Sequence, residues 1–509
     1  MKIHRAQNTI RSTVVGFFFR IFNLLMPFIV RTVLIKKLGS EFLGLNSLYT
    51  SIIQVLNLAE LGIGSALVFN MYEPIANDDN EKIGYLLGLY KKIYSIIGVL
   101  IFVIGLLLIP TLSYLVDMRE LEGTGINAYV LYLIYLMNSV LSYLFFAYRK
   151  SLLMAYQRQD IVSITNGVAH IIMYSLQMIV LFTCPNYYLY IILMPIFTVI
   201  DNISAVIISK RMFPDIKETK KVSINDMGEV FSRVKYLIGH KVGAVILNSA
   251  DSIVISAFIN LKILTAYGNY FYIISALSGF IHVGYTALLA GVGNSIVMES
   301  KERLLRLFND LTFLIFYVVS IGTICLLCLY QPFMELWMGE EYMFPMQTVV
   351  LFSIYFYTWQ VRVMGLIFKD AGGMWKNDFY KPYIGMVVNI SLNLFLVNIW
   401  GVNGVIVATI VVMTLVYFPC ETHVLFKDLF SVKPWRYILR HVYYIMITLI
   451  GCIICFFITS VLPVEGFIGL VVKGMLAVIG ANATVILLCL RMPELKNMIS
   501  RVRRVFSEG

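Results

Sequence analysis

Residues 442–463 read VYYIMITLIGCIICFFITSVLP, without one charged side chain. A helix needs about 20 such residues to cross the hydrocarbon of a bilayer. No water reaches the backbone there, so a lipid-facing run must close its own hydrogen bonds as a helix. Glu465 and Gly466 follow, and a second apolar run, 466–490, starts at once. Outward from this pair, similar runs occupy 12–35, 42–69, 88–110, 127–148, 160–183, 187–209, 234–259, 266–291, 309–331, 345–368, 381–399 and 402–425. With 441–463 and 466–490 they predict about fourteen transmembrane helices.

Composition points the same way. Of 509 residues, 59% are hydrophobic and 14% charged, against roughly 25% charged in a soluble protein. Too few charges remain to cover a water-facing surface, so the fold class is an all-α polytopic membrane protein. The net charge of +11 sits in short clusters between apolar runs, which argues against a nucleic-acid partner. Placing the N-terminus inside gives the opposite side only Lys36, Lys37, Arg119 and Lys262. Arg20, Arg31, Lys241, Arg362 and Lys473 lie within spans, and the remaining basic residues fall on the cytoplasmic side. This asymmetry predicts that both termini are cytoplasmic. The pairs Cys325/Cys328 and Cys452/Cys455 lie inside apolar runs, where small apolar packing is their expected role. The polar, basic residues 1–12 and the long run after them do not read as a cleavable signal.

The chain also reads as a duplication. One constant shift superposes Tyr49, Ile52 and Ile53 on Tyr270, Ile273 and Ile274, and Arg20 on Lys241. Pro110 and Pro332 each mark the end of the third span of a half. The expected plan is an N-terminal lobe of six helices (1–210), a polar cytoplasmic linker (211–228) and a second six-helix lobe (229–426). Two extra helices (436–492) and a basic tail (493–509) complete it. An even number of spans per copy makes the repeats parallel, with their axis along the membrane normal and a central cavity between lobes.

Ionisable residues inside spans carry the functional signal, because a charge at mid-bilayer costs roughly 2.5–3.5 kcal/mol on insertion scales. On the first span, Thr13, Gly16, Arg20, Pro27 and Arg31 fall within about 40° of one face, with Asn23 beside them. On the seventh, Lys241, Asn248 and Ser252 form a matching stripe, with Asp251 at its edge. On the second, Asn46, Tyr49, Asn57, Glu60 and Gly64 share a face. Ordinary readings stand beside these. Arg20, Arg31, Lys241 and Lys473 can snorkel to an interface. Glu60 can pair with Arg20 or Arg31. Asp201 and Asp251 can be ion-pair partners or coupling-ion sites. Arg362, after Trp359 and Gln360 in the tenth span, can face a cavity. His170, His240 and His282 have no second histidine at metal-ligand spacing, so neither a metal nor another cofactor is expected. No nucleophile–base or paired-carboxylate arrangement points to an enzyme.

The stretch 33–66 (VLIKKLGSEFLGLNSLYTSIIQVLNLAELGIGSA) resembles the opening of bacterial polysaccharide flippases of the Wzx type. So does Leu89-Tyr90-Lys91-Lys92-Ile93-Tyr94. Ala371-Gly372, Lys381-Pro382, Asn389 and Asn393, and then Trp400-Gly401-Val402-Asn403-Gly404-Val405, resemble the later pattern of those proteins. The likeness covers nearly the whole chain and places it in the multidrug/oligosaccharidyl-lipid/polysaccharide (MOP) exporter superfamily.

That resemblance implies alternating access in the bacterial cytoplasmic membrane, with an undecaprenyl-pyrophosphate-linked oligosaccharide as cargo. It implies a cationic cavity for the pyrophosphate. Arg20 and Arg31 match the family's basic first helix, and Lys241 is a looser match on the seventh. Asn23, Asn248 and Arg362 join them as candidate cavity residues, and Tyr49, Tyr270 and Trp359 can stack on sugars. Glu60, Asp201 and Asp251 are candidates for coupling or ion pairing, with H+ or Na+ as the coupling ion. Membrane lipid, a polysaccharide polymerase and other assembly proteins are the implied partners. A drug/cation antiporter of the same superfamily is the alternative, although carboxylates would then be expected to dominate the cavity. A polymerase or acyltransferase fits less well: the external segments are short and the histidines scattered.

Overall fold

The computed structural model describes residues 5–60, 63–145, 148–219 and 225–508. Side chains are described for all of these except 5–15, 17, 20, 59, 63, 65–67, 225–238, 286–287, 290 and 501–508. The described residues form helices joined by short turns, with no strand among them. The chain divides into two compact units, Met1–Thr265 and Ala266–Gly509.

The first unit opens with α1 (Arg5–Leu38), which carries Pro27 inside it. Then come α2 (Ser40–Leu56), α3 (Ile63–Ala76), α4 (Asn80–Leu107) and the single turn α5 (Leu112–Leu115). They are followed by α6 (Ala128–Leu144), α7 (Tyr148–Ala155), α8 (Gln159–Thr183), α9 (Tyr187–Met212) and α10 (Asn225–Phe258). Caps mark several starts: Asp79 accepts from the Lys82 N–H at 2.9 Å, and Asn127 accepts from the Tyr129 N–H at 2.9 Å. These side chains satisfy amides that have no carbonyl partner within the helix. The second predicted span is not one helix. It ends at Leu56, turns through a 3₁₀ segment, Asn57–Glu60, and resumes in α3.

A helix α11 (Leu261–Met298) crosses the division between units. Then follow α12 (Lys301–Met338), α13 (Met346–Gln360), α14 (Val363–Ala371), α15 (Lys381–Trp400), α16 (Val402–Val411) and α17 (Phe418–Val424). The chain closes with α18 (Trp435–Ser460), α19 (Gly466–Cys489) and α20 (Pro493–Glu508). Pro332 does not end its span as expected: α12 carries it internally and continues to Met338. The tenth span breaks between Gln360 and Val363. The twelfth loosens into π-helix at Val412–Tyr417 and again at Leu425–Leu429.

Each predicted span lies along one or two of these helices. Among the described residues, 10 helices are long and apolar enough to cross a membrane, and up to 11 if α6 and α7 form one bent span. Helices in lipid gain little from hiding apolar surface, so close packing and internal polar contacts hold them. The extra helices α18 and α19 pack on α12 around Phe313, Phe316, Ile324, Tyr444 and Ala477. Gly451 makes that contact possible: a Cβ there would stand 2.5 Å from Ile324 Cδ1. Cys328, Cys452, Cys455 and Cys489 belong to the same core.

Candidate functional site

In the first unit, Asn23 on α1 and His170 on α8 meet, Oδ1 to Nδ1, at 2.9 Å. Arg31 lies further along α1 and its charge reaches Tyr174 and Tyr190. The side chain of Arg20 lies outside the described residues. Asp201 on α9 accepts from Lys150 Nζ at 2.6 Å and from Asn166 Nδ2 at 3.4 Å. The structure thus makes Asp201 an ion-pair partner, and its cation comes from the short helix α7.

Glu60 closes the 3₁₀ turn after α2. Tyr94 of α4 and Tyr143 of α6 donate to its two oxygens, each at 3.3 Å, with their rings stacked 5.9 Å apart. Among the described side chains, Lys241 on α10 is a basic group whose charge acts on Glu60. Sequence reasoning placed Glu60 with Arg20 or Arg31. The turn at Asn57–Glu60 carries the carboxylate toward α4 and α6, and the pairing with Arg20 lies outside the described side chains. On α10, Asn248 is exposed and Asp251 is buried.

The rest of the polar face of the second span is used up inside the unit. Tyr135 donates to Asn46 at 2.6 Å and Ser139 to Asn57 at 2.6 Å. Tyr49 is 0% exposed and donates to the Ala128 carbonyl at 2.9 Å. In the second unit Tyr270 is also 0% exposed, stacked on Phe352 and bonded to Gln331 at 2.9 Å. Neither tyrosine offers a face to a sugar, which corrects that expectation. Trp359 is only partly buried and stacks on Phe271.

The second unit holds a buried charge network that the sequence disclosed only at Arg362. Its guanidinium grips Glu421 through two hydrogen bonds, Nε to Oε2 at 3.0 Å and Nη2 to Oε1 at 2.6 Å. Lys381 also donates to Glu421 at 2.7 Å and lies 3.1 Å from Asp378, which in turn holds Lys369. Arg362 and Lys381 both lie over the Tyr417 ring. Beside them Asp370 accepts from Tyr285 and from Trp375 Nε1. The network sits where regular helix fails: at the α13–α14 break and between the two π-helical segments. Opposite charge and hydrogen bonds between these groups are what make buried ions tolerable. A cavity of about 520 Å³ borders the network at Arg362, one of its lining residues, and its other walls, Leu327, Ile354, Met413, Phe418 and Leu449 among them, are mostly apolar, so it suits hydrocarbon better than a glycan.

Residues 8–289 match the family described as polysaccharide biosynthesis protein. The chain belongs to that family. Comparison with curated proteins finds none that matches. Among solved structures, this polysaccharide biosynthesis protein resembles the lipid II flippase MurJ in an inward closed conformation. The TM-score is 0.65 at 14% identity, covering 94% of this chain and 99% of that one. It also resembles an inward-facing multidrug resistance MATE family transporter of the MOP superfamily, with TM-score 0.61, 12% identity, and 81% and 97% coverage. A mutant of the Vibrio cholerae MATE transporter VcmN gives TM-score 0.54 at 16% identity over 84% and 98%. The family member therefore has the MOP fold and is a multi-pass membrane protein. The matched residues contain Arg31, Glu60, Asp201 and Lys241, while the Arg362 network lies beyond them.

Proposed function

We propose that the protein is a flippase that carries undecaprenyl-pyrophosphate-linked oligosaccharide units across the bacterial cytoplasmic membrane for surface polysaccharide assembly. The observation that carries this reading is the pairing of a polysaccharide biosynthesis family match with the fold of a lipid II flippase. The cargo has an anionic head, a polar glycan and an apolar tail. Only the head and glycan need shelter from hydrocarbon. Cations inside the spans offer the pyrophosphate charge-assisted hydrogen bonds. We assign that contact to Arg20, Arg31 and Lys241, with Asn23 and Asn248 as polar neighbours.

Arg362 is already neutralised by Glu421, so its part is to hold the second unit in shape. The repeats 1–210 and 229–426 would alternate access to the two sides, with both termini in the cytoplasm. The protein moves its cargo without changing it and is not an enzyme. The likeness to MATE transporters supports a second reading, export of a cationic drug. The two readings separate in a gene deletion. A flippase deletion accumulates lipid-linked units on the cytoplasmic face and loses surface polysaccharide. An antiporter deletion leaves polysaccharide intact and raises drug sensitivity, which would overturn the first reading.

A further inference from the structure

Two neighbouring cations on the eight-residue helix α7 hold two different carboxylates. Arg149, almost sealed from the surface, donates to Glu218 from Nε at 3.1 Å and from Nη2 at 2.7 Å. Tyr148 donates to the same oxygen at 2.8 Å, and Lys91 of α4 pairs with the other at 3.3 Å. Glu218 belongs to the linker that leaves α9. Lys150 turns instead to Asp201 inside the helical bundle, at 2.6 Å. The second oxygen of Asp201, Oδ1, is buried without a hydrogen-bond partner.

The linker is fastened at several more points. Phe213 stacks on Tyr156 with ring centres 4.2 Å apart, and Ile216 is buried. The Thr219 N–H donates to the Gly84 carbonyl at 3.1 Å. A Cβ on Gly84 would lie 2.2 Å from the Lys217 carbonyl oxygen, so any other residue there would push the linker off α4.

We propose that α7 transmits the charge state of Asp201 to the linker: proton uptake at Asp201 releases Lys150, and the grip of Arg149 on Glu218 loosens. The proton comes from water and settles on Asp201, while Lys150 stays an ammonium ion. Without a carboxylate to face, that ammonium gains by turning toward water. Lys150 and Arg149 are adjacent on one short helix, so a rotation that frees the first displaces the second. The other groups around Asp201 are Asn166 and His170 of α8, the latter bonded to Asn23 of α1. From α6 the Ser142 carbonyl faces the neighbouring Asn202. Arg20, on α1, lies outside the described side chains. Burial opposes the charge of Glu218, yet hydrogen bonds from Arg149 and Tyr148 hold its pKa below the ordinary value. The linker end of the relay therefore stays ionised.

Hydrogen exchange of residues 213–219, measured on the full-length protein in nanodiscs, tests this without reading transport, so it stands apart from the cargo proposed above. Asp201→Asn mimics the neutral acid and should speed exchange in this segment about tenfold, the loss of roughly one charge-assisted hydrogen bond. Lys150→Met should act alike, because it removes the same contact from the other side. Glu218→Gln should speed it directly, and combining it with Asp201→Asn should add little. Wild-type exchange in Asp201→Asn overturns the relay. So does wild-type exchange in Glu218→Gln, since Glu218 then holds nothing. An increase spread equally over α6 and α9 also overturns it, as that is general unfolding.

Discussion

Arg362 grips Glu421 through two hydrogen bonds of 3.0 and 2.6 Å, with side chains only 6% and 4% exposed. Breaking a buried ion pair from one side leaves an uncompensated charge and costs about 3–5 kcal/mol. Glu421 also receives Lys381, so its loss strands two cations. Glu421→Gln should therefore lower the thermal midpoint of the purified protein more than Arg362→Gln does. Equal and small shifts would show that the network is solvated in the real membrane.

Tyr49 and Tyr270 anchor chain entering the next helix in their respective units. Tyr49 donates to the Ala128 carbonyl at the start of α6, and Tyr270 accepts from the Phe344 N–H ahead of α13. Removing either hydroxyl as Phe should cost about 1 kcal/mol of stability and leave export close to normal, because neither ring is open to a glycan. Trp359→Ala is the contrasting variant, expected to lower export while the protein stays folded. Complementation of a deletion strain at matched protein levels gives the readout.

The spans were legible because an apolar run of sufficient length has only one backbone solution in lipid. What cuts a span was less so. The turn at Asn57–Glu60 is fixed by Tyr94 and Tyr143, which arrive from other spans, and periodicity within 42–69 contains no trace of them. Arg362 stood out as an intramembrane cation, but its partner did not. The available signal was Glu421 itself, a carboxylate in the apolar stretch VYFPCETHVLF. Lys150 read as a loop cation by its place between spans, although it turns inward to Asp201.

The linker contact has a defined pH window. Burial pushes Glu218 up, but Arg149 and Tyr148 outweigh that and hold it below the ordinary 4.5. A carboxylate depressed on folding stabilises fully above its unfolded value, and the contribution is lost as pH falls through the folded one. Protection of the Thr219 amide, corrected for intrinsic exchange, should be flat from about pH 7 to about pH 5 and fall below that. Loss of protection already near neutral pH that persists in Asp201→Asn would mean that a group outside the Asp201–Glu218 relay controls the contact.

Orientation is open to direct labelling. Single cysteines near Glu120 or Glu340 should react with an impermeant thiol reagent applied to intact cells. Cysteines near Lys217 or Arg436 should react only after the membrane is opened. The reverse pattern would invert the topology and place the linker outside.

Translocation itself is the measurement closest to the central claim. Purified protein would be reconstituted in liposomes with an undecaprenyl-pyrophosphate oligosaccharide labelled on its glycan, and its arrival in the opposite leaflet followed by an impermeant quencher. Wild-type protein should move the lipid well above the rate of empty liposomes. Arg20→Lys and Lys241→Arg should keep most of that rate, because the charge is retained. Arg20→Gln and Lys241→Gln should lose at least about tenfold, as expected for one charge-assisted contact to the pyrophosphate. A wild-type rate no faster than that of empty liposomes would contradict the account.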